Sequence, residues 1–280
     1  MALAVVGCGG GSSSKVTREA PGTVTVYATG LNQPMHMVFD SSGNLYTANK
    51  GANNIAKTTL SKVTSFIGGI NGSTWTNPIG LSLIGENLYV SMNVAVVPGV
   101  WKVNLSTGIT SQPTEVTFTK LFNFSGVTSD SAGNIFASDQ SNNLIKFQTG
   151  NTAITSPTGL KHYGDFIYVA SYTGAGAVKK INIADHLISG DLGVAFSYPY
   201  SIDFDSSGNA YVVEFGPDAN GALSQISMVT QTGVKTTFAG PEKGLCASVG
   251  IAIREDYVYV SNGPCLSDAN KSNRILKIAI

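Results

Sequence analysis

Hydrophobic and polar residues alternate in short runs along most of this chain. The stretch from Leu31 to Thr58 shows the pattern: an alternating run at 35–39, a polar turn at 40–44, a second run at 45–48 and a third near residue 55. A period of two residues over runs of this length is typical of half-buried β-strands, and no helical period of 3.6 residues persists. The sequence therefore predicts an all-β protein.

The same pattern recurs as six units. An aromatic residue of the predicted second strand returns at intervals of 43, 47, 32, 43 and 48 residues, at Tyr46, Tyr89, Phe136, Tyr168, Tyr211 and Tyr259. The residue before the first strand is Pro34, Pro78, Phe124, Pro157, Pro199 or Ser248, and the third strand carries Lys57, Lys102, Lys146, Lys180, Gln225 or Lys277. Units of about 40–45 residues have the length of four-stranded propeller blades, so we predict a six-bladed β-propeller.

Two details of the ring follow from unit lengths. The third unit is short, so its outer strand should be very short, near Ala153–Ile154, or absent. An alternating strand at 23–29 precedes the first full unit, and the chain ends on a third-strand pattern at 274–280. The N-terminal strand should therefore be the outer strand of the last blade and close the ring, which removes exposed strand edges.

Composition excludes several classes of protein. The formal net charge is +0 and only 12 % of the 280 residues are charged, so the basic stripe of a nucleic-acid binder is missing. A hydrophobic content of 42 % argues against a disordered chain. No apolar run approaches the 18 or so residues of a membrane-spanning helix, so we expect contact with a membrane only through an anchor.

Residues 1–22 form a segment separate from the predicted propeller at 23–280. The sequence Val5-Val6-Gly7-Cys8 resembles the lipobox of a bacterial lipoprotein signal, and a Gly/Ser spacer follows it. The resemblance implies that Cys8 is lipidated and that the protein is anchored in the bacterial cell envelope. The apolar run is about six residues, shorter than a usual signal core, which a start codon placed too late would explain. The competing interpretation is a Gly-rich nucleotide loop, which no βα pattern supports.

The other two cysteines lie in the last unit. Cys246 precedes its first strand and Cys265 follows its second strand. In a propeller these two loops share a face, so an exported chain is expected to join them in a disulfide; the alternative is two buried thiols.

Several motifs resemble known repeats. Pro-x-Gly-Leu, Asp-x-x-Gly-Asn-Leu-Tyr, the segment 139–146 (Asp-Gln-Ser-Asn-Asn-Leu-Ile-Lys) and the segment 272–278 (Ser-Asn-Arg-Ile-Leu-Lys-Ile) are similar to NHL-type repeats. Residues 23–280 also resemble the wider gluconolactonase-like and regucalcin-like propellers. The resemblance supports the fold, but propellers serve as enzymes, sensors and scaffolds alike.

Candidate site residues follow from the propeller topology. The loops before strand one and after strand two should meet at one mouth of the channel, and His36 there replaces the glycine of four other units. The residues expected around this mouth are His36, Asn49, Asp139, Glu214 and Asn262, with Tyr172 and Tyr200 as a stacking wall. Their oxygen atoms suit Ca²⁺ or Mg²⁺, with Asp139 and Glu214 as the metal ligands. The alternative is that Asp and Asn bond the backbone of their own loops. We expect His162 and His186 to be solvated.

Two functions remain open. The first is an envelope-anchored propeller that binds a small molecule, glycan or protein on its central face without converting it. The second is a metal-dependent lactonase or related hydrolase. Resemblance to the gluconolactonase-like enzymes implies an early glutamate, an asparagine within Pro-Asn-Gly and a later aspartate as metal ligands. Here the middle residue of that motif is Met35, Ile79, Thr158 or Tyr200, which argues against the second function.

Overall fold

The computed structural model describes residues 18–68, 75–93, 99–111, 124–148 and 150–280. These residues form six antiparallel sheets of four strands each, as predicted. Residues 1–17, which include Cys8, lie outside the described part of the chain.

The strands follow one another blade by blade. Blade 1 comprises β2 (Pro34–Phe39), β3 (Leu45–Asn49), β4 (Asn54–Thr58) and β5 (Thr64–Ile67), after β1 (Val24–Ala28). Blade 2 comprises β6 (Pro78–Ile84), β7 (Asn87–Met92), β8 (Gly99–Asn104) and β9 (Thr110–Ser111). Blade 3 comprises β10 (Phe124–Ser129), β11 (Ile135–Asp139), β12 (Leu144–Phe147) and β13 (Gly150–Ala153).

The second half of the ring repeats this order. Blade 4 comprises β14 (Pro157–Tyr163), β15 (Phe166–Ser171), β16 (Val178–Asn182) and β17 (Ile188–Asp191). Blade 5 comprises β18 (Pro199–Phe204), β19 (Ala210–Glu214), β20 (Gln225–Val229) and β21 (Lys235–Ala239). Blade 6 comprises β22 (Ser248–Arg254), β23 (Tyr257–Asn262) and β24 (Arg274–Ala279), with β1 as its outer strand.

The first strand of each blade lines the central channel. The strands β2, β6, β10, β14, β18 and β22 each pack against the first strands of the two neighbouring blades, which closes a circle around the axis. Four of these six strands begin at a proline, which supplies no donor to a ladder and suits a strand start. We call the face where the first strands begin the entrance face, and the opposite face, with the turns from strand one to strand two, the hairpin face.

The N-terminal strand closes the ring. β1 pairs with β24 in antiparallel register, with Val24 opposite Ile278 and Val26 opposite Leu276. The last blade thus takes its outer strand from the start of the chain, as the sequence predicted.

The predicted second-strand aromatics fill the spaces between blades. All six are buried, between 0 and 9 % exposed. Four of them stand opposite a third-strand lysine, in the pairs Tyr46–Lys57, Tyr89–Lys102, Tyr168–Lys180 and Tyr259–Lys277. The other two predicted third-strand residues also lie on third strands, as expected, but not opposite the aromatic: Lys146 stands opposite Ala137, and Gln225 stands opposite Glu214, at the start of β20.

Local sequence accounts for the turns. Asp40, Asp130 and Asp205 each accept a hydrogen bond from the backbone N–H of the asparagine four residues later, at 2.8 Å, and a second from its side chain. The outer strand of blade 3 is present, at Gly150–Ala153, slightly earlier than predicted. Helical structure in the described residues is confined to three 3₁₀ turns, at 50–52, 241–243 and 269–271. None of the described helical segments is long and apolar enough to cross a membrane.

Candidate functional site

The centre of the entrance face is apolar. Met35, Ile79 and Val249, which stand near the starts of three first strands, pack in one cluster with Tyr200 against its edge. Burial raises the pKa of the Tyr200 phenol to about 12, with a smaller contribution from Tyr172. This part of the predicted mouth therefore offers apolar and aromatic surface where carboxylates were expected.

His36 lies at the waist of the channel. Blades 2, 3, 4 and 6 carry glycine at the position equivalent to His36, because neighbouring first strands approach each other closely there. A Cβ atom on Gly126, for example, would stand 2.4 Å from the carbonyl oxygen of Thr158. His36 is 6 % exposed, and its Nε2 has no hydrogen-bond partner in the described structure. Burial lowers the pKa of its imidazole to about 4. A neutral ring therefore occupies the waist at neutral pH.

The asparagines and the aspartate after the second strands bond within their own loops. Asp139 is fully buried and accepts hydrogen bonds from the backbone and side-chain nitrogens of Asn142, at 3.1 and 2.8 Å. Asn49 accepts from the backbone of Asn32 at 2.6 Å and donates to Asn54 at 2.8 Å. These side chains act as loop caps, the alternative that the sequence left open.

Asn262 has the same role in blade 6. Its amide oxygen accepts from the Ser248 hydroxyl at 2.8 Å, and its amide nitrogen donates to the carbonyl oxygens of Gly244 and Lys271 at 2.8 and 3.1 Å. The side chain therefore ties the start of β22 to the loop that follows β23.

Glu214 is held by groups of its own blade and the segment leading into it. Its carboxylate is 1 % exposed and accepts from the backbone N–H of Ser197 at 2.6 Å, from Gln225 at 3.1 Å and from the hydroxyl of Ser227. Lys235 completes the set with an ion pair at 3.1 Å. The structure thus gives Asp139 and Glu214 separate sets of partners and does not bring them together.

The donor set for a divalent cation is therefore not assembled. Across the described ranges, no group of three or more His, Cys, Asp and Glu side chains is arranged to hold a metal ion. The oxygen atoms of the residues that we expected to bind Ca²⁺ or Mg²⁺ are occupied by N–H, O–H and ammonium donors. The residues present do not fit the predicted metal site.

The predicted tyrosine wall belongs to a larger aromatic cluster. The Tyr172 ring centroid lies 5.6 Å from that of Tyr200, 5.2 Å from that of Tyr198 and 6.3 Å from that of Phe215. Tyr198 and Phe215 were not among the predicted site residues. Their position, immediately before a first strand and immediately after a second strand, would have indicated them.

A pocket of about 290 Å³ adjoins this cluster on the entrance face. Its lining comes from blades 1, 5 and 6, and includes Met35, Lys50, Phe215, Val249, Pro264 and Leu266. Lys50 is the one charged residue among the described lining residues. We call this the entrance pocket. It is a concave apolar site with a cation at its rim.

The predicted disulfide borders the entrance pocket. Cys246 and Cys265 are bonded to each other, and their neighbours Ala247, Pro264 and Leu266 line the pocket. Leu266 is 77 % exposed. The disulfide therefore fixes a loop that presents an apolar side chain at the pocket's edge.

A second cavity, of about 200 Å³, lies in the channel on the hairpin side of His36. We call it the channel well. Lys161 and Asp203, which line it, form an ion pair at 2.6 Å that sequence analysis missed. Lys161 lies two residues after Gly159 in its first strand, and Asp203 lies two residues after Ser201 in its own. The other four units carry an uncharged residue at the equivalent position. That contrast is the signal that could have found them.

Two histidines are less solvated than expected. His162 is half-buried, lines the channel well and contacts the carbonyl oxygen of Gly164 at 2.9 Å. His186 is half-buried and packs against Phe147, with 3.9 Å between ring centroids. His162 therefore lies within β14, where a turn or loop was expected, and the turn that carries His186 folds back onto blade 3.

Comparison with known proteins establishes the fold. No family model and no curated protein matches the chain. Among solved structures, it is similar to a gluconolactonase from Xanthomonas campestris, with a TM-score of 0.70 and 8 % identity over 91 % of this chain and 89 % of that one. It is similar to the PQQ-bound aldose sugar dehydrogenase from Streptomyces coelicolor, with a TM-score of 0.70 and 12 % identity over 93 % and 99 % of the two chains.

A third similar structure is a catalytically inactive variant of virginiamycin B lyase from Staphylococcus aureus with quinupristin. The TM-score is 0.61 and the identity 15 %, over 88 % of this chain and 80 % of that one. At these identities the comparisons support a shared fold and leave the activity of this chain to be argued from its own residues.

Proposed function

We propose that this propeller is a binding protein whose ligand occupies the entrance pocket. The ligand class is a small molecule with an apolar or aromatic body and an acceptor or anionic group at one end. The observation that carries the proposal is the pocket itself: a concave site of about 290 Å³ lined by Met35, Phe215, Val249 and Leu266, beside the tyrosine cluster. Sites of this size and lining are typical of small-molecule binding.

The chemistry of the lining sets the ligand class. An apolar body would remove from water the exposed side chain of Leu266 and the exposed part of the Phe215 ring, which is favourable in proportion to the apolar area buried. Lys50 at the rim would favour an anionic or acceptor group. Glycans and proteins, the other ligands expected from the sequence, would need more polar partners than the described lining offers.

The lactonase alternative has less support. The solved structures with this fold include a gluconolactonase and a lyase, so the fold itself is compatible with catalysis. That reaction would need carboxylates free to bind a cation or accept a proton, and Asp139 and Glu214 are engaged in their own blades. Binding without conversion therefore accounts better for the residues present.

We further propose that the propeller is exported and anchored in the bacterial envelope through Cys8. The Cys246–Cys265 disulfide supports export, because structural disulfides persist in oxidising compartments. In cells that produce the full-length protein, labelled fatty acid should be incorporated into the wild type and should not be incorporated into a Cys8→Ser variant. Equal labelling of the two proteins would contradict the anchor and leave the proposed binding function untouched.

A fluorescent probe tests the entrance pocket. The probe 1-anilinonaphthalene-8-sulfonate has an aromatic body and an anionic end, and it should bind the native protein at a single site. Leu266→Ser should weaken binding about tenfold, because the pocket loses an apolar wall. Leu187→Ser is the matched control, since Leu187 is also exposed, at 64 %, and lies outside the pocket.

The outcomes separate the two functions. Equal probe affinity in Leu266→Ser and Leu187→Ser would contradict the entrance pocket. A panel of lactones tested with Ca²⁺ and Mg²⁺ provides the second arm. Metal-dependent turnover that disappears in Asp139→Ala would favour the lactonase over the binding protein.

A further inference from the structure

The channel well combines several polar groups that the entrance pocket does not use. It is lined by His36, Ser82, Thr128, Ser129, Lys161 and Asp203, contributed by the first strands of five blades. All of them except His36 stand in the second half of their strands, so the well lies towards the hairpin face. It is therefore a site separate from the entrance pocket.

The ion pair in the well leaves N–H donors of Lys161 free, whereas the Asp203 oxygens already accept several hydrogen bonds. Asp203 is 7 % exposed at its side chain and accepts from the backbone of Phe204 and Ile253, both at 2.8 Å, as well as from Lys161. An ammonium carries three N–H donors, and Asp203 takes one from Lys161. Lys161 is 40 % exposed, so its other donors can reach a molecule in the well.

The hydroxyls and the imidazole can both donate and accept. The oxygens of Ser82 and Ser129 lie 3.3 Å apart, across the boundary between blades 2 and 3. Each hydroxyl donates one hydrogen bond and accepts others, and a neutral imidazole nitrogen does one or the other according to its tautomer. The Nε2 of His36 is buried and has no partner in the described structure, so the hydroxyls and the ammonium are the groups that remain for a molecule in the well.

We propose that the channel well binds a small uncharged polyol. An anion in this space would meet the carboxylate of Asp203, and a cation would meet the ammonium of Lys161. A hydroxyl-rich neutral molecule meets neither repulsion. Its hydroxyl groups match the serine and threonine hydroxyls and the ammonium donors.

The size of the well fits such a ligand. A volume of about 200 Å³ corresponds to about seven water molecules at roughly 30 Å³ each. A compact ring with hydroxyl substituents can displace that many waters and restore their hydrogen bonds, which is the condition for displacement to gain affinity.

Equilibrium dialysis with three labelled cyclohexane polyols tests the charge requirement. The probes are neutral myo-inositol, anionic quinate and cationic 2-deoxystreptamine, which share a ring size. We expect the purified full chain to bind myo-inositol at least about tenfold more tightly than either charged ring. No detectable binding of myo-inositol, or equal binding of the three, would overturn the proposal.

Variants test the location. Lys161→Gln and the double change Ser82→Ala, Ser129→Ala should each weaken myo-inositol binding about tenfold, the equivalent of one lost hydrogen bond to a charged group. Lys179→Gln is the matched control, because Lys179 forms an ion pair with Asp191 at 3.0 Å between the outer strands of blade 4. Unchanged affinity in both well variants would overturn the proposal.

A competition separates this site from the entrance pocket. Saturating the protein with 1-anilinonaphthalene-8-sulfonate should leave myo-inositol binding unchanged. Displacement of myo-inositol by that probe would place both in one pocket and overturn the assignment to the well.

Discussion

The imidazole of His36 packs against the backbone of Gly159. A Cβ atom on Gly159 would lie 3.2 Å from Cε1 of His36, and 2.7 Å from the carbonyl oxygen of Tyr200. His36 is on blade 1 and Gly159 on blade 4, which face each other across a ring of six. A single side chain therefore spans the channel at its waist and separates the channel well from the apolar cluster of the entrance face.

The close approach predicts a cost for a larger residue on blade 4. Gly159→Ala should lower the free energy of unfolding by about 1–3 kcal/mol, because the new methyl group meets rigid backbone as well as the imidazole. Urea denaturation measures the change. Gly68→Ala is the control, since a Cβ there meets no atom of the described residues within 4 Å. A Gly159→Ala protein as stable as the Gly68→Ala protein would show that Gly159 has more space around it than the structure shows.

Burial of His36 predicts a stability change with pH. The native pKa of about 4 lies below the ordinary value of 6.5, so the unfolded chain binds the proton more tightly. Stability should therefore be full above pH 6.5 and fall as the pH drops from 6.5 towards 4. The loss between pH 7 and 4.5 is about 2 kcal/mol.

A variant isolates that contribution. The free energy of unfolding of His36→Gln should fall by about 2 kcal/mol less than that of the wild type over the same pH range. The carboxylates and the other histidines are common to both proteins and cancel in the comparison. Parallel pH profiles for the two proteins would mean that His36 takes up its proton in the native state.

Ring closure predicts a sharp difference between two truncations. Removing residues 1–17 should leave stability unchanged, because β1 begins at Val24 and its pairing with β24 is kept. Removing residues 1–30 exposes the edge of β24 and should cost most of the small net stability of the domain. Thermal unfolding and solubility are the measurements. Equal melting temperatures for the two truncated chains would contradict closure by β1.

The disulfide predicts coupled losses of stability and binding. Cys246 and Cys265 are 19 positions apart, so the chain-entropy model gives about 3 kcal/mol for the loop that they close. The double variant Cys246→Ser, Cys265→Ser should melt earlier and bind the entrance-pocket probe more weakly, because the loop carrying Leu266 is freed. Normal probe affinity in a protein with a lowered melting temperature would limit the disulfide to a structural role.

The fold could be predicted because its signals are local and repeated. Prolines at four strand starts, Asp-x-x-Gly-Asn turns in three blades and an aromatic residue on all six second strands each act within a few residues, and the repeats reinforce one another. All six predicted third-strand residues lie on third strands, but Lys146 and Gln225 do not stand opposite the second-strand aromatic as the other four do. Which residues stand opposite each other depends on the loop lengths of each blade, and these differ from one repeat to the next.

The candidate site was harder to predict because its partners are distant in sequence. The sequence shows that His36 stands where other units carry glycine. Its contact with Gly159 could not be predicted, because the two residues lie on opposite blades. Asp139 and Glu214 stand at equivalent strand ends, and the sequence left both capping and metal binding open. For Glu214 the partners Ser227 and Lys235, which lie on later strands, decide between the two, whereas for Asp139 the partner is Asn142, three residues later.

The capping role of Asp139 gives the final prediction. Asp139→Ala removes the acceptor for both nitrogens of Asn142, in a fully buried position, and should lower the free energy of unfolding by about 1–3 kcal/mol. Asp139→Asn, which keeps one carbonyl oxygen, should lose less. Because the carboxylate is committed to its loop, adding Ca²⁺ or a chelator should shift the melting temperature of none of the three proteins. Asp185→Ala is the control, since its carboxylate caps an exposed turn through the N–H of Leu187. A rise in the wild-type melting temperature with Ca²⁺ that disappears in Asp139→Ala would contradict the capping role and restore the metal site, since a ligand that binds the native state stabilises it by mass action.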